Sequence, residues 1–253
     1  MSKKQVEVSG GLRTEAERNE AGLLRDVFKN NPSPWEVKMD NFPKYARRQT
    51  ITRLLALYEL FKIAMPAKGS IVECGVNHGF GIMSWAKFSA VLEPVNLTRR
   101  IYGFDTFSGF PGVSQKDRSQ TSQHVKEGDL AADVKEELTR LIEIHDSTRF
   151  LGHVDKVHLI KGDATKTIPE FIDKNPHLLV SMLFLDFDLY EPTRVALEHF
   201  LPRMPNGAVL AFDELDNPLW PGETLAMLEA HAQRRLKIQR FDFDPYIGFA
   251  VLD

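Results

Sequence analysis

Near the C-terminus two acidic clusters, Asp186-Phe187-Asp188 and Asp213-Glu214, each follow an apolar run with the pattern of a buried strand, about 25 residues apart. Strands that end side by side in acids gather carboxylate oxygens at one sheet edge, where a hard divalent cation can be held. A second constellation lies near residue 75. There Glu73-Cys74-Gly75-Val76-Asn77-His78-Gly79-Phe80-Gly81 places glycines at spacings of four and two, whereas a dinucleotide-binding turn shows spacings of two and then three.

Asn77 occupies the slot of the missing glycine. Close backbone approach without a pyrophosphate clamp suits an adenosine-bearing ligand that lacks phosphates, and Glu73 ahead of the turn would repel a diphosphate. S-adenosylmethionine, with cationic amino and sulfonium groups, fits that environment; the competing reading is a tight turn with no ligand. A nicotinamide-dependent oxidoreductase is disfavoured by Asn77. Phe104-Asp105 ends a second apolar run, from which a carboxylate can accept hydrogen bonds from ribose hydroxyls. Lys161-Gly162-Asp163-Ala164 ends a third, from which a carboxylate or amide can read the adenine amino group. Each acid alone reads as a solvated strand end. Three in succession on one carboxyl edge read as a ligand site, because that edge is where open α/β sheets bind ligands. The donor-site candidates are Glu73, Gly75, Asn77, Gly79, Asp105, Thr106, Asp163, Ala164 and Asp186.

The elements that must position these residues alternate. A helix is expected over Thr50–Ala64, where Leu54, Leu57, Tyr58 and Phe61 recur at helical spacing. Strand Ser70–Gly75 and helix Ile82–Leu92 follow, then strand Arg100–Phe104, helix Leu130–Ile144, strand Val157–Lys161 and helix Ile168–Lys174. Strand Val180–Leu185, a helix opened by Pro192, strand Ala208–Phe212 and helix Glu223–Arg234 complete the alternation. Lys237–Phe243 and Tyr246–Leu252 then read as two strands with no helix between them. The expected fold is α/β and Rossmann-like, a seven-stranded mainly parallel sheet whose C-terminal antiparallel hairpin resembles that of class I methyltransferases. Residues 1–45, broken by Asn30-Asn31-Pro32-Ser33-Pro34-Trp35, read as an N-terminal arm, and residues 46–253 as the main domain. The polar stretch Ser108–Asp129 is the one long loop, and loops of about 20 residues in compact domains are commonly functional, so a lid is expected here.

Composition narrows the partners. The 253 residues are 43% hydrophobic and 26% charged with a net charge of -3, which is ordinary for a globular protein and gives no clustered basic face for nucleic acid. Cys74 is the single cysteine, so no intramolecular disulfide can form. No window approaches the roughly 18 apolar residues of a membrane span, and a soluble cytoplasmic protein without a membrane partner is expected.

Three stretches resemble the macrocin O-methyltransferase family: Val72-Glu73-Cys74-Gly75-Val76, Tyr102-Gly103-Phe104-Asp105-Thr106-Phe107-Ser108-Gly109-Phe110-Pro111, and Leu185-Asp186-Phe187-Asp188-Leu189-Tyr190-Glu191-Pro192-Thr193. The resemblance spans residues 45–250 and implies methyl transfer from S-adenosylmethionine to a sugar hydroxyl in natural-product biosynthesis, with a free sugar, a nucleotide sugar and a sugar already attached to an aglycone all open as acceptors. It further implies Mg²⁺ held by Asp188, Asp213 and Glu214, with Asp188 as the base, and a homo-oligomeric enzyme. One departure is that Asp213-Glu214 stands where the family usually has paired aspartates; Asp216 is a possible substitute ligand. A metal-bound hydroxyl has a lowered pKa, so that a nearby carboxylate can remove its proton, and closure of the loop and the arm would impose in-line geometry. His78, His124 and His145 are weaker candidates for the site, and Trp35, Tyr45 and Trp220 for ring stacking, each against an ordinary turn or packing role. Two other classes stay open: a Mg²⁺-dependent O-methyltransferase of a catechol-like phenol, whose pattern has an Asp-Asn pair, and a non-catalytic sugar- or nucleotide-binding protein.

Overall fold

A computed structural model describes residues 14–120 and 125–253; His124 lies outside the described residues. Contacts divide the chain into Met1–Leu55 and Ala56–Asp253. The first unit holds α1 (Glu15–Asn30), α2 (Trp35–Asp40) and the start of α3 (Arg48–Ala64). Helix α1 opens on a reciprocal cap: the Thr14 hydroxyl accepts the Glu17 amide at 3.2 Å, and the Glu17 carboxylate accepts the Thr14 amide at 2.9 Å. Tyr45 packs edge-on against Phe28 with ring centroids 4.9 Å apart, while Trp35 is 62% exposed.

The second unit alternates β1 (Ser70–Cys74), α4 (Phe80–Leu92), β2 (Ile101–Asp105), α5 (Lys135–Thr148), β3 (Val157–Lys161), α6 (Ala164–Lys174), β4 (Val180–Leu185), α7 (Tyr190–Phe200), β5 (Val209–Phe212), α8 (Pro221–Gln233), β6 (Gln239–Phe241) and β7 (Asp244–Val251). The strands form one sheet in the order β3-β2-β1-β4-β5-β7-β6. Strands β1 to β5 pair in parallel, β7 runs antiparallel to β5, and β6 runs antiparallel to β7. The expected sheet with its terminal hairpin is therefore present.

Central strands covered on both faces read as continuous apolar runs, and every residue of β1, β4 and β5 is buried. Side-chain direction still alternates. Val72, Leu183, Leu185 and Leu210 join α6, α7 and α8 in one core. Ile71, Met182, Phe184 and Val209 join α3, α4 and α5 in the other. Phe184, fully buried, meets Trp85 of α4 at 5.7 Å between ring centroids; burial of such a side chain stabilises by about 1.5–3 kcal/mol. Helices on both faces leave the carboxyl edge free for a ligand. The connections run from β1 outward to β2 and β3 on one side, and to β4 and β5 on the other, so that edge opens into a crevice between β1 and β4.

Most element limits shift by one or two residues from the sequence expectation, and α5, α6 and β6 shift further. Helix α5 starts at Lys135 rather than Leu130, because Leu130 takes a left-handed φ of 57° and faces a cavity. Helix α6 starts at Ala164 rather than Ile168, because Asp163 caps it. Strand β6 spans only Gln239–Phe241, with a register irregularity between Arg240 and Phe241, whose partner is Asp244 at the start of β7. Among the described residues no helix is long and apolar enough to cross a membrane.

Candidate active site

The turn after β1 is built by contact with two neighbouring strands. The Gly75 amide donates to the Phe104 carbonyl at 2.9 Å, and the Asp186 amide donates to the Cys74 carbonyl at 2.7 Å. Gly75 has φ 96°, and a Cβ there would lie 1.9 Å from the Asp186 carbonyl oxygen. Glycine is needed because the ends of β1 and β4 close on this position. Asn77 follows with φ 47°, a conformation that asparagine tolerates better than most residues.

Asp105, at the end of β2, receives two backbone amides. Its Oδ2 accepts from Asn77 at 2.8 Å and its Oδ1 from Phe107 at 2.6 Å. Both oxygens keep a further lone pair. Thr106 turns the chain, with its hydroxyl donating to the Gly109 carbonyl at 2.6 Å. A cavity opens at these strand ends, lined by Gly75, Asn77, Asp105, Thr106, Ala164, Asp186 and Asp188 together with Gly109, Phe110, Pro111, Asp129, Leu130, Gly162, Phe187, Leu189 and Pro192. Seven of the sequence candidates thus line one cavity, together with apolar Phe110, Leu130, Phe187 and Pro192.

Other candidates sit elsewhere. Glu73 is 1% exposed and shares the face of Ile71, so its carboxylate runs under α4; a Cβ on Gly81 would lie 2.2 Å from its Oε1. Gly79 opens α4 beneath the Leu138 side chain. Asp163 accepts the Thr165 amide at 3.0 Å and hydroxyl at 2.7 Å as the cap of α6. His78 is exposed in the turn. His145 is buried, and Trp220, 2% exposed, packs edge-on against Phe110. None of these six residues lines the cavity.

The acidic edge contains a residue that sequence reasoning missed. Glu223, in the first turn of α8, is 1% exposed, and its Oε1 accepts the Glu214 amide at 3.3 Å. Burial, followed by the charges of Asp188 and Asp213 and that of Glu214, pushes its carboxyl well above the usual range. Four carboxyl groups from the ends of β4 and β5 and the start of α8 therefore share one field. Glu223 was hidden because a lone glutamate just inside a helix start looks like an ordinary first-turn acid. Asp213 is buried and Asp188 holds φ 61°, a backbone strain of the kind that collects at functional positions. Glu214 Oε2 accepts the Asn217 side-chain amide at 2.6 Å. Asp216 is exposed, with its amide donating to the Thr224 hydroxyl at 3.0 Å. Hard carboxylate oxygens in a shared negative field suit Mg²⁺ in chemistry; among the described residues, no three His, Cys, Asp or Glu side chains are gathered as a ligand group.

The model of a methyltransferase domain family matches residues 72–215. Among solved structures, the crystal structure of the calicheamicin methyltransferase CalS11 superposes with a TM-score of 0.90 at 32% identity, covering 99% of this chain and 98% of that one. The apo structure of CalS11, a TDP-rhamnose 3'-O-methyltransferase of calicheamicin biosynthesis, gives 0.81 at 30% identity over 94% and 95%. The O-methyltransferase NovP gives 0.62 at 17% identity over 93% and 97%, a likeness of fold alone. A search of curated proteins returns no match. The chain belongs to this methyltransferase domain family and is an S-adenosylmethionine-dependent O-methyltransferase.

Proposed function

We propose that the chain methylates a sugar hydroxyl, the sugar being carried on a nucleotide, in a natural-product pathway. The observation that carries this reading is that Asp105 and Asp188 line one cavity. Asp105 offers its remaining lone pairs to the ribose of S-adenosylmethionine; Asn77 and Gly75 let the donor approach the backbone. Asp188, which lines the same cavity, would take the acceptor side. The acceptor oxygen bonds to the methyl carbon as the carbon–sulfur bond breaks, S-adenosylhomocysteine leaves, and the hydroxyl proton passes to the Asp188 carboxylate. Asp188, Asp213 and Glu214 are the residues that would hold Mg²⁺, and since they are not gathered as a ligand group in this structure their side chains would have to draw together around it. When bound, the cation lowers the pKa of the acceptor hydroxyl. The acceptor class is supported by CalS11, a TDP-rhamnose 3'-O-methyltransferase at 30% identity.

The test is transfer of a labelled methyl group from S-adenosylmethionine to TDP-rhamnose or to catechol, with and without EDTA. Label on TDP-rhamnose, lost on chelation and restored by Mg²⁺, is the expected result. Turnover that survives EDTA sinks the metal role. Label on catechol alone sinks the sugar acceptor, and donor binding without transfer to either compound argues for a binding module.

A further inference from the structure

The first amide of α7 is an orphan donor that the helix cannot satisfy itself, and the residue before the helix, Leu189, offers no side-chain cap. The cap comes from 73 residues upstream: Asp117 Oδ1 accepts the Tyr190 amide at 2.6 Å. Its Oδ2 accepts the amide of Ser114 at 2.7 Å and its hydroxyl at 2.6 Å, and the side chain is buried at 4% exposure. One carboxylate therefore ties the stretch after β2 to the start of α7. Around it, Lys116 Nζ lies 3.7 Å from the Tyr190 ring centroid and 2.8 Å from Glu229, which also accepts the Tyr190 hydroxyl at 2.6 Å. Gly222 of α8 makes room, since a Cβ there would lie 2.1 Å from Asp117 Oδ1 and 2.5 Å from the Tyr190 nitrogen.

Both tied segments are walls of the same cavity. Phe110 and Pro111 line it from the loop; Leu189 and Pro192 line it from the beginning of α7. The base of the loop is closed separately, with the Phe110 amide donating to the Asp129 carbonyl and the Gly128 amide to the Phe110 carbonyl, each at 3.0 Å. Release of Asp117 would leave that neck intact and remove the buried tie between the loop wall and α7, leaving the surface contact of Lys116 with the Tyr190 ring.

We propose that Asp117 is a positioning residue that latches the loop wall of the cavity onto α7, with Gly222 as the small residue that admits it, and thereby sets how long the methyl donor stays bound. The inference rests on the reading of this cavity as the donor site. S-adenosylhomocysteine is the probe, its association and dissociation followed by stopped flow on the full chain alongside the melting temperature. Asp117→Ala should speed dissociation about tenfold with association little changed, the loss expected for one charge-assisted hydrogen bond. Asp117→Asn keeps one oxygen for the Tyr190 amide and should fall between. Gly222→Ala, which leaves Asp117 in place, should reproduce the alanine effect. Hydrogen exchange on the wild-type protein gives an independent measure: residues 109–119 and the Tyr190 amide should gain protection when S-adenosylhomocysteine binds.

Unchanged dissociation in Asp117→Ala or Gly222→Ala, with only the melting temperature lowered, overturns the latch and leaves a helix cap. Should those variants not fold, unchanged protection of residues 109–119 in the wild type overturns it equally. A wild-type protein that does not bind S-adenosylhomocysteine overturns the donor-site reading, and the latch with it.

Discussion

The amide of Asn77 donates to Asp105 Oδ2 at 2.8 Å across 28 residues of sequence, so the turn after β1 and the end of β2 are held as one unit. Asp105 also accepts the Phe107 amide. Asp105→Ala orphans both amides and removes the acceptor proposed for the ribose. Loss of about 1–3 kcal/mol is expected, a rise of about 5–150-fold in the dissociation constant of S-adenosylhomocysteine by calorimetry. Asp105→Asn keeps one carbonyl oxygen and should lie between. Equal binding by all three proteins would remove Asp105 from the donor site.

Gly75 is where β1 and β4 meet, and alanine there would have to displace the Asp186 carbonyl and hold φ 96°. The backbone strain alone costs about 1–3 kcal/mol. Gly75→Ala should lower the melting temperature and abolish binding of S-adenosylhomocysteine together. A variant that melts normally and binds normally would show that the two strand ends can part at no cost.

Asp188 tests the proposed chemistry apart from the donor. Asp188→Asn should reduce turnover on TDP-rhamnose by at least about 100-fold, the range for a lost general base, with donor affinity nearly intact. A parallel loss of donor binding would mean that the residue belongs to the donor wall. If Asp188, Asp213 and Glu214 hold Mg²⁺, the metal should also raise the melting temperature of the wild type and not that of Asp188→Asn.

His145 gives the chain an acid-sensitive element away from the cavity. It is 4% exposed, and its Nε2 has no hydrogen-bond partner among the described residues. Burial, then the charge of Lys87, holds the imidazole below its ordinary pKa, with Asp146 opposing. In the unfolded chain the ring protonates as pH falls through about 6.5, while in the folded chain it stays neutral to lower pH. The unfolded state then binds more protons, so stability is lost below about pH 6.5. His145→Gln should flatten the fall of melting temperature between about pH 7 and pH 5. An unchanged slope would place the acid sensitivity elsewhere, His158 being the next candidate because burial lowers it as well.

Much of the architecture was legible in one dimension. Parallel strands covered on both faces must be apolar throughout, so Val180–Leu185 and Val209–Phe212 stand out, and the absence of a helix between the last two strands announces the hairpin. The residues after those runs necessarily fall on the carboxyl edge, so the sequence sets Asp105, Asp186 and Asp188 on one sheet edge, and in the structure they line one cavity. The competing pull of local hydrogen bonding was not legible. Asp163 and Glu73 occupy strand ends as Asp105 does, yet Asp163 is drawn to the Thr165 amide as a cap and Glu73 is turned beneath α4 by the alternation of β1.

Sequence alone determined the order of elements, the sheet edge that carries the acids and the glycine turn, because each follows from hydrophobic period, strand ends and backbone freedom within a few neighbouring residues. Tertiary structure decided which acids share a field and which segments share a wall. Glu223 meets Glu214 from the start of α8, and Asp117 meets Tyr190 from 73 residues away. Such pairings depend on helices packing at fixed separation on a common sheet, and on glycine where that separation leaves no space for a side chain, neither of which leaves a periodic mark in the chain.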